Sequence, residues 1–260
     1  MAPKTGEKLS NAPLIYVLAQ IRFSPILATE KYIPSIQERV RREYPRYQQN
    51  IIQTFRFGPE GQPPDIAKIS RWEFADKDST HGFIIQQDSF VFHTTGYTTF
   101  PEFKDKLQSA LLAVNESLDI SLVERIGLRY VDIVEPTGDD KLSDYLVPGV
   151  AGFPHEDIGV QPVVSQTESI SDSEFGRLVL KVIKKKDEKN VPPDLFPLAL
   201  KLSRKVAQGS PNALLDFDHF FEQSIDFSVD AVIEKIDQLH EVTSKAFWSV
   251  ITEHAKDVWS

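Results

Sequence analysis

Two arginines flank a glycine in the run Arg-Ile-Gly-Leu-Arg-Tyr-Val-Asp, residues 125–132. Residues two apart lie on the same face of a β-strand, so Arg125, Gly127 and Arg129 share one face. Guanidinium groups bind carboxylates and phosphates through paired hydrogen bonds, and the glycine leaves room beside them. The pattern therefore predicts a position for an anionic group on a β-sheet.

Other cationic and aromatic residues extend this set of ligand-binding candidates. Arg22 and Arg71 lie in equally apolar runs, and Trp72 follows Arg71 directly. The alternative interpretation is structural, because arginines in strands more often pair with acidic residues on neighbouring strands than bind a ligand. The acidic residues that could serve as such partners are Glu73, Glu124, Asp132 and Glu135.

A second set of residues could bind a divalent cation. Asp216 and Asp218 share a face of a predicted strand, and Asp132 could lie nearby. Carboxylates are the usual ligands of Mg²⁺, including in metal-dependent phosphoester hydrolases. The simpler interpretation is that the two aspartates form a solvated face, because Leu215 and Phe217 alternate with them as the buried side.

Other chemistries have little support in the sequence. The chain contains no Cys, which excludes disulfides, thiolate ligands and cysteine nucleophiles. It also contains no His-x-x-x-His pair, no Gly-x-Ser-x-Gly and no glycine-rich phosphate loop. Single-stranded nucleic acid could stack on alternating cations and aromatics, but the net charge of -9 opposes that function. The residues concerned are Arg22, Phe23, Phe55, Arg56, Phe57, Arg71 and Trp72.

The composition is that of a folded, acidic protein. Of its 260 residues, 41% are hydrophobic and 26% are charged. The lack of Cys predicts a cytoplasmic location, and the polar N-terminal run predicts that no secretory leader is present. No apolar run approaches the ~20 residues of a membrane helix, so no membrane association is expected.

The N-terminal half is predicted to form a series of strands that is followed by a long helix. A strand is predicted at 14–23, then a helix whose apolar face includes Ile33, Ile36 and Val40. A longer helix begins at Thr99, which forms a capping box with Glu102. Short strands between the two helices are predicted at 51–57, 66–74, 82–86 and 90–95.

The C-terminal half repeats this outline after a Pro- and Gly-containing connector. The last helix carries an apolar stripe from Val229 to Val250 at spacings of three and four. That spacing also fits a coiled-coil seam, which leaves a homodimer open. Packing on the chain's own sheet is favoured, because the stripe is wider than a seam. Strands are predicted at 163–170, 175–185, 197–206 and 213–221.

These elements predict an α+β protein with two antiparallel sheets, each covered by one long amphipathic helix. The repeated outline suggests a duplication of one module. The predicted divisions are an N-terminal α+β module at 12–136, a connector at 137–162 and a C-terminal α+β module at 163–260.

Several stretches give the chain a resemblance to a known family. They include Gln-Ile-Arg-Phe at 20–23, Ile-Gly-Leu-Arg-Tyr at 126–130 and Leu-Leu-Asp-Phe-Asp at 214–218. Through them the chain resembles a sporadically distributed prokaryotic family of uncharacterised proteins of about this length. The resemblance implies a compact cytoplasmic protein and carries over no catalytic residues. The patchy distribution of the family is similar to that of mobile accessory genes, including defence loci.

The sequence therefore favours a non-catalytic cytoplasmic protein that binds a protein partner or a small anionic ligand and uses no cofactor. The first alternative is a metal-dependent phosphoester hydrolase that uses Asp216, Asp218 and Asp132. The second alternative is single-stranded nucleic-acid binding, which the acidic charge disfavours.

Overall fold

The computed structural model describes residues 9–56, 65–153, 158–160, 163–185, 191–196, 198–202 and 211–260, with the backbone alone at 53–56 and 65–67. The strands are β1 (Leu14–Phe23), β2 (Arg46–Arg56), β3 (Asp65–Ala75), β4 (His81–Gln86), β5 (Ser89–Thr94), β6 (Leu122–Val134), β7 (Val164–Ser173), β8 (Gly176–Lys185), β9 (Asn212–Phe221) and β10 (Ile225–Asp226). The helices are α1 (Thr29–Val40), α2 (Phe100–Leu118), α3 (Leu142–Tyr145), α4 (Pro148–Ala151), α5 (Val229–Val250) and α6 (Glu253–Trp259).

All of these strands belong to one antiparallel sheet. Their order is β2-β3-β4-β5-β1-β6-β9-β8-β7, and β10 pairs with β6. The α+β class with antiparallel strands is confirmed, but the prediction of two sheets is wrong. β6, the last strand of the predicted N-terminal module, pairs with β9 of the predicted C-terminal module, from Ile126 opposite Phe221 to Val134 opposite Ala213. This pairing joins the two predicted sheets into one.

The strand order is symmetric about the β1–β6 pair. On each side the remaining strands run outward in reverse chain order, as β5, β4, β3, β2 on one side and β9, β8, β7 on the other. The centre of this symmetry lies within the predicted module 12–136, because β1 and β6 both belong to it. The division into modules at 12–136 and 163–260 stays a prediction.

Local sequence signals placed the long helices correctly. Thr99 accepts a hydrogen bond from the backbone N–H of Glu102 at the start of α2, and Ser228 caps α5 in the same way. The predicted apolar face of α2 is buried, and α5 contacts β6 and β9 through its own stripe. Buried residues of α1, α2, α5 and α6 share one apolar cluster with the strands.

The predicted strand at 197–206 is wrong where the structure describes it. Residues 198–202 form no strand, and Pro197 and 203–206 lie outside the described residues. β8 pairs directly with β9, so no position in the sheet is left for another strand between them. Residues 191–196 and 198–202, here called the strap, instead cross one face of the sheet. Pro192 and Pro193 have no N–H to donate to a strand partner, which favours this path.

The two faces of the sheet differ in character. The face packed with the helices is apolar and includes Leu128 and Phe217. The opposite face carries Arg125, Gly127 and Arg129 and is here called the arginine face. Apolar side chains of the strap, including Leu195, pack on part of it in a second, smaller apolar cluster.

The strap is tied to the sheet at its far end. The backbone N–H of Lys201 donates to the carbonyl of Ser79 (2.8 Å), and the hydroxyl of Thr95 donates to the carbonyl of Lys201 (2.7 Å). The strap therefore spans the arginine face from the C-terminal half of the chain to the turn between β3 and β4.

Candidate functional site

Arg129 is bound by carboxylates from β9 and from the strap. Its Nε and Nη2 donate to the two oxygens of Asp216 at 2.7 Å each, and its Nη1 donates to Asp194 at 2.5 Å. Burial alone would lower the pKa of Arg129, but the hydrogen bonds with Asp216 and Asp194 outweigh it and hold this pKa above its usual range. Arg129 therefore joins the sheet to the strap as a structural ion pair.

Arg125 is held quite differently. Its Nη1 donates to the amide oxygen of Gln20 (2.9 Å), and its guanidinium lies 4.3 Å from the centre of the Phe220 ring. The oxygen of Asp218 is 3.5 Å from Nη2, which is a long contact for an ion pair. A β-carbon at Gly127 would come within 2.9 Å of Nη1, so the glycine provides the space in which this guanidinium lies.

A second arginine lies directly beside Arg125. Arg22 is its cross-strand partner on β1, and the ion pair of Arg22 with Asp88 is 4.0 Å long. The Arg22 side chain is 46% exposed, whereas that of Arg125 is 16% exposed. The two guanidiniums thus form a cationic pair at one end of the arginine face, with one member open to solvent.

The pKa shifts separate the two arginine environments. Burial lowers the pKa of Arg125, and burial also raises the pKa of Asp218. Both partners of this contact are therefore shifted toward their neutral forms, in contrast to Arg129. An anion placed between Arg22 and Arg125 would favour the charged form of both guanidiniums.

The three candidate metal ligands are not brought together. Asp216 and Asp218 share the arginine face as predicted, but Asp216 is buried against Arg129 rather than solvated. Asp132 projects from the opposite face, among the core residues between β1 and β9. Within the part of the chain that the structure describes, no group of three or more His, Asp or Glu side chains could hold a metal ion.

Trp72 and Arg71 lie on opposite faces of β3. Trp72 is buried in the main apolar cluster, so its ring is not available to a ligand on the arginine face. Arg71 lies 2.6 Å from Glu73 of its own strand, and both side chains are largely buried. Of the nucleic-acid candidates, Phe23 is also buried. The side chains of Phe55 and Arg56, and Phe57 as a whole, lie outside the described residues.

A buried polar pair on the arginine face was not anticipated from the sequence. The hydroxyl of Tyr16 lies 2.6 Å from Nδ1 of His93, and neither side chain reaches solvent appreciably. Burial lowers the pKa of His93 to about 3, so the imidazole is neutral at physiological pH. The alternation of Phe90, Phe92 and His93 could have placed His93 on this face, but its burial depends on tertiary packing that no local signal records.

Comparisons with known proteins give no family assignment. The chain matches no protein-family model. A search of curated proteins likewise finds no similar sequence. None of the helices in the described ranges is long and apolar enough to cross a membrane.

Proposed function

We propose that this protein is a non-catalytic binding protein whose arginine face receives an anionic group at Arg22 and Arg125. The observation that carries this proposal is the contrast between the two buried arginines of β6. Arg129 is fully engaged by two carboxylates, whereas Arg125 has one short hydrogen bond, to the neutral amide of Gln20.

The Arg125 guanidinium is held in place in the absence of a ligand. Gln20 fixes one nitrogen of Arg125, and the Phe220 ring supports the guanidinium plane. Because the Arg125 side chain is already ordered, it loses less conformational entropy when a ligand binds than a flexible lysine would. A carboxylate or phosphate that bridges Arg22 and Arg125 would replace the long contacts with Asp88 and Asp218 by shorter ones.

The anionic group belongs to a protein partner or to a small ligand in the cytoplasm. The absence of Cys supports that location, and the acidic net charge of -9 disfavours nucleic acid as the partner. The resemblance to the sporadically distributed prokaryotic family supports an accessory role in a mobile or defence-type locus. The last helix leaves a homodimer open as well.

The test is titration calorimetry of wild type and variants with two probes, inorganic phosphate and a tetraglutamate peptide. The Arg22→Ala/Arg125→Ala double variant should lose at least about tenfold in affinity, because charge-assisted hydrogen bonds contribute about 1.5–3 kcal/mol each. Gly127→Ala should also weaken binding, since the new methyl group displaces the Arg125 guanidinium.

Arg177→Ala is the matched control. Arg177 lies on the same face, but it is exposed and paired with Asp172 (2.8 Å). Its removal should leave affinity for both probes unchanged. If wild-type protein binds neither probe at millimolar concentration, or if all variants bind them equally well, the proposed function is wrong.

A further inference from the structure

β7 is an edge strand of the sheet, and among the residues that the structure describes no strand pairs with its outer side. It is 10 residues long, from Val164 to Ser173, and on its inner side it pairs with β8 along its whole length. The backbone N–H and C=O groups that point outward from such a strand can pair with a strand of another chain. β7 therefore presents a long and regular row of donors and acceptors.

β7 lacks several devices that protect an edge strand against pairing. Proline, lysine and β-bulges are common at protected edges. The β7 sequence contains neither proline nor lysine, and its pairing with β8 has no register shift. Its two acidic residues are paired within the chain, Glu168 with Lys181 (3.3 Å) and Asp172 with Arg177 (2.8 Å). These carboxylates therefore repel an incoming strand less than unpaired ones would.

Apolar side chains are exposed at both ends of this edge. Val164 is 58% exposed and Ile170 is 62% exposed, and both lie on the arginine face of β7. Val163, directly before the strand, is 86% exposed. Val164 and Ile170 are about 20 Å apart along the strand, so they cannot cover each other within one chain. Another strand beside β7 would cover both.

We propose that β7 pairs antiparallel with β7 of a second copy of this chain, about a two-fold axis at Thr167. One sheet then runs through the dimer. In this register Ile170 of each copy lies opposite Val164 of the other, so the exposed apolar side chains meet at two equivalent places. Gln166 lies opposite Glu168 and can donate its amide hydrogen to the carboxylate. The main-chain hydrogen bonds supply affinity, and these side-chain matches set the register.

The other face of β7 fits the same register. It carries a row of hydroxyl side chains that includes Ser165, Thr167 and Ser169. About the axis at Thr167, Ser165 of one copy lies opposite Ser169 of the other, and Thr167 lies opposite its own copy. Hydroxyl side chains that face each other across strands hydrogen-bond favourably. Both faces of the edge are thus self-complementary.

Charge favours Thr167 over neighbouring positions of the axis. An axis one residue earlier sets Val164 against Glu168, and an axis one residue later sets Glu168 against its own copy. An axis at Ile170 pairs this residue with itself but sets Glu168 against Asp172. Like charges directly opposite each other destabilise a strand pair. The axis at Thr167 pairs the apolar residues and keeps the carboxylates apart.

The experiment measures the mass of the full chain in solution by sedimentation equilibrium at micromolar concentration. Wild type should have twice the mass of one chain. Val164→Lys/Ile170→Lys should raise the dissociation constant of the dimer by about tenfold or more, because it sets lysine against lysine at two places and removes the apolar contacts. Both changes are at exposed side chains, and circular dichroism checks that the variant is folded.

A second variant tests the register itself. Val164→Glu/Ile170→Lys differs from the first variant only at position 164, and it should remain a dimer because glutamate then lies opposite lysine at both places. Leu112→Lys, at a leucine of α2 that is 45% exposed, is the control for loss of an exposed apolar residue and should also remain a dimer. A monomeric wild type, a Val164→Lys/Ile170→Lys variant that dimerises like wild type, or a monomeric Val164→Glu/Ile170→Lys variant would overturn the proposal.

Discussion

Arg129→Ala lowers the free energy of unfolding by about 3–5 kcal/mol, because it leaves a buried carboxylate without its partner. Asp216 is 4% exposed and receives both of its short hydrogen bonds from Arg129. The strap also loses its ion pair through Asp194. The measurement is urea denaturation of wild type and variant, followed by circular dichroism at a fixed pH.

Two further variants test whether the broken ion pair causes the loss of stability in Arg129→Ala. Arg177→Ala removes an exposed arginine from the same face and should leave the free energy of unfolding almost unchanged, because water screens its pair with Asp172. The double variant Arg129→Met/Asp216→Leu should recover most of the loss, since apolar residues of similar volume often replace a buried ion pair without penalty. An Arg129→Ala protein as stable as wild type would contradict the structural role of this pair.

Elements that depend on local pattern could be predicted from the sequence. β1 has the predicted bounds, and the apolar face of α2 and its cap at Thr99 are confirmed, but the Glu102 carboxylate accepts from Thr98 and does not complete the predicted capping box. The short helix α3 lies in the predicted connector. In each case the signal is a periodicity or a capping residue within a few positions, so no knowledge of the rest of the chain is needed.

The arrangement of the sheet could not be predicted, because it depends on which distant strands pair. Nothing in the sequence of β1 states that it pairs with β6 rather than remaining at an edge. The same limit explains the wrong prediction of a strand at 197–206. The apolar leucines of this segment fit a strand pattern locally, but β8 pairs directly with β9 and leaves no position between them.

The candidate site shows the same limit at the level of side chains. The alternation of side chains along a strand correctly predicts that Arg125 and Arg129 share a face of β6. It also correctly predicts that Asp216 and Asp218 share a face of β9. The two sets were interpreted separately, as an anion site and a metal site, because the β6–β9 pairing that brings them together is not local. The acidic partners expected from the sequence do not include Asp216 or Asp194, which are the residues that bind Arg129.

Asp132 is a buried carboxyl group whose charged form is disfavoured. In Arg129, by contrast, the charged form is favoured by its carboxylate partners. Asp132 is 3% exposed, on β6 between Leu14 of β1 and Leu215 of β9. Burial, together with the nearby charge of Asp216, raises the pKa of Asp132 from the usual 3.8 to about 8. At neutral pH the folded protein therefore holds a proton at Asp132 that the unfolded chain has released.

The sign of the stability effect follows from that difference. Below pH 3.8 both states are protonated at Asp132 and the group has no effect. As the pH rises from about 4 to 8 the unfolded state releases the proton first, so the folded state loses stability over this range. The accumulated loss at pH 7 is of the order of 4 kcal/mol, at 1.36 kcal/mol for each pH unit above the unfolded pKa.

Asp132→Asn should therefore stabilise the protein at pH 7.5 by several kcal/mol, and the gain should vanish near pH 4. The difference between variant and wild type is the quantity to measure, because burial lowers the pKa of His93 and of His240, and both histidines reduce stability as the pH falls. These histidines are present in both proteins, so their contribution cancels in the difference.

Asp226→Asn, at an exposed aspartate on the strand β10 that pairs with β6, is the control and should show no such pH dependence. If the stability difference for Asp132→Asn were the same at pH 5 and pH 8, the raised pKa of Asp132 would be refuted, and the residue would have to be charged within the core at neutral pH.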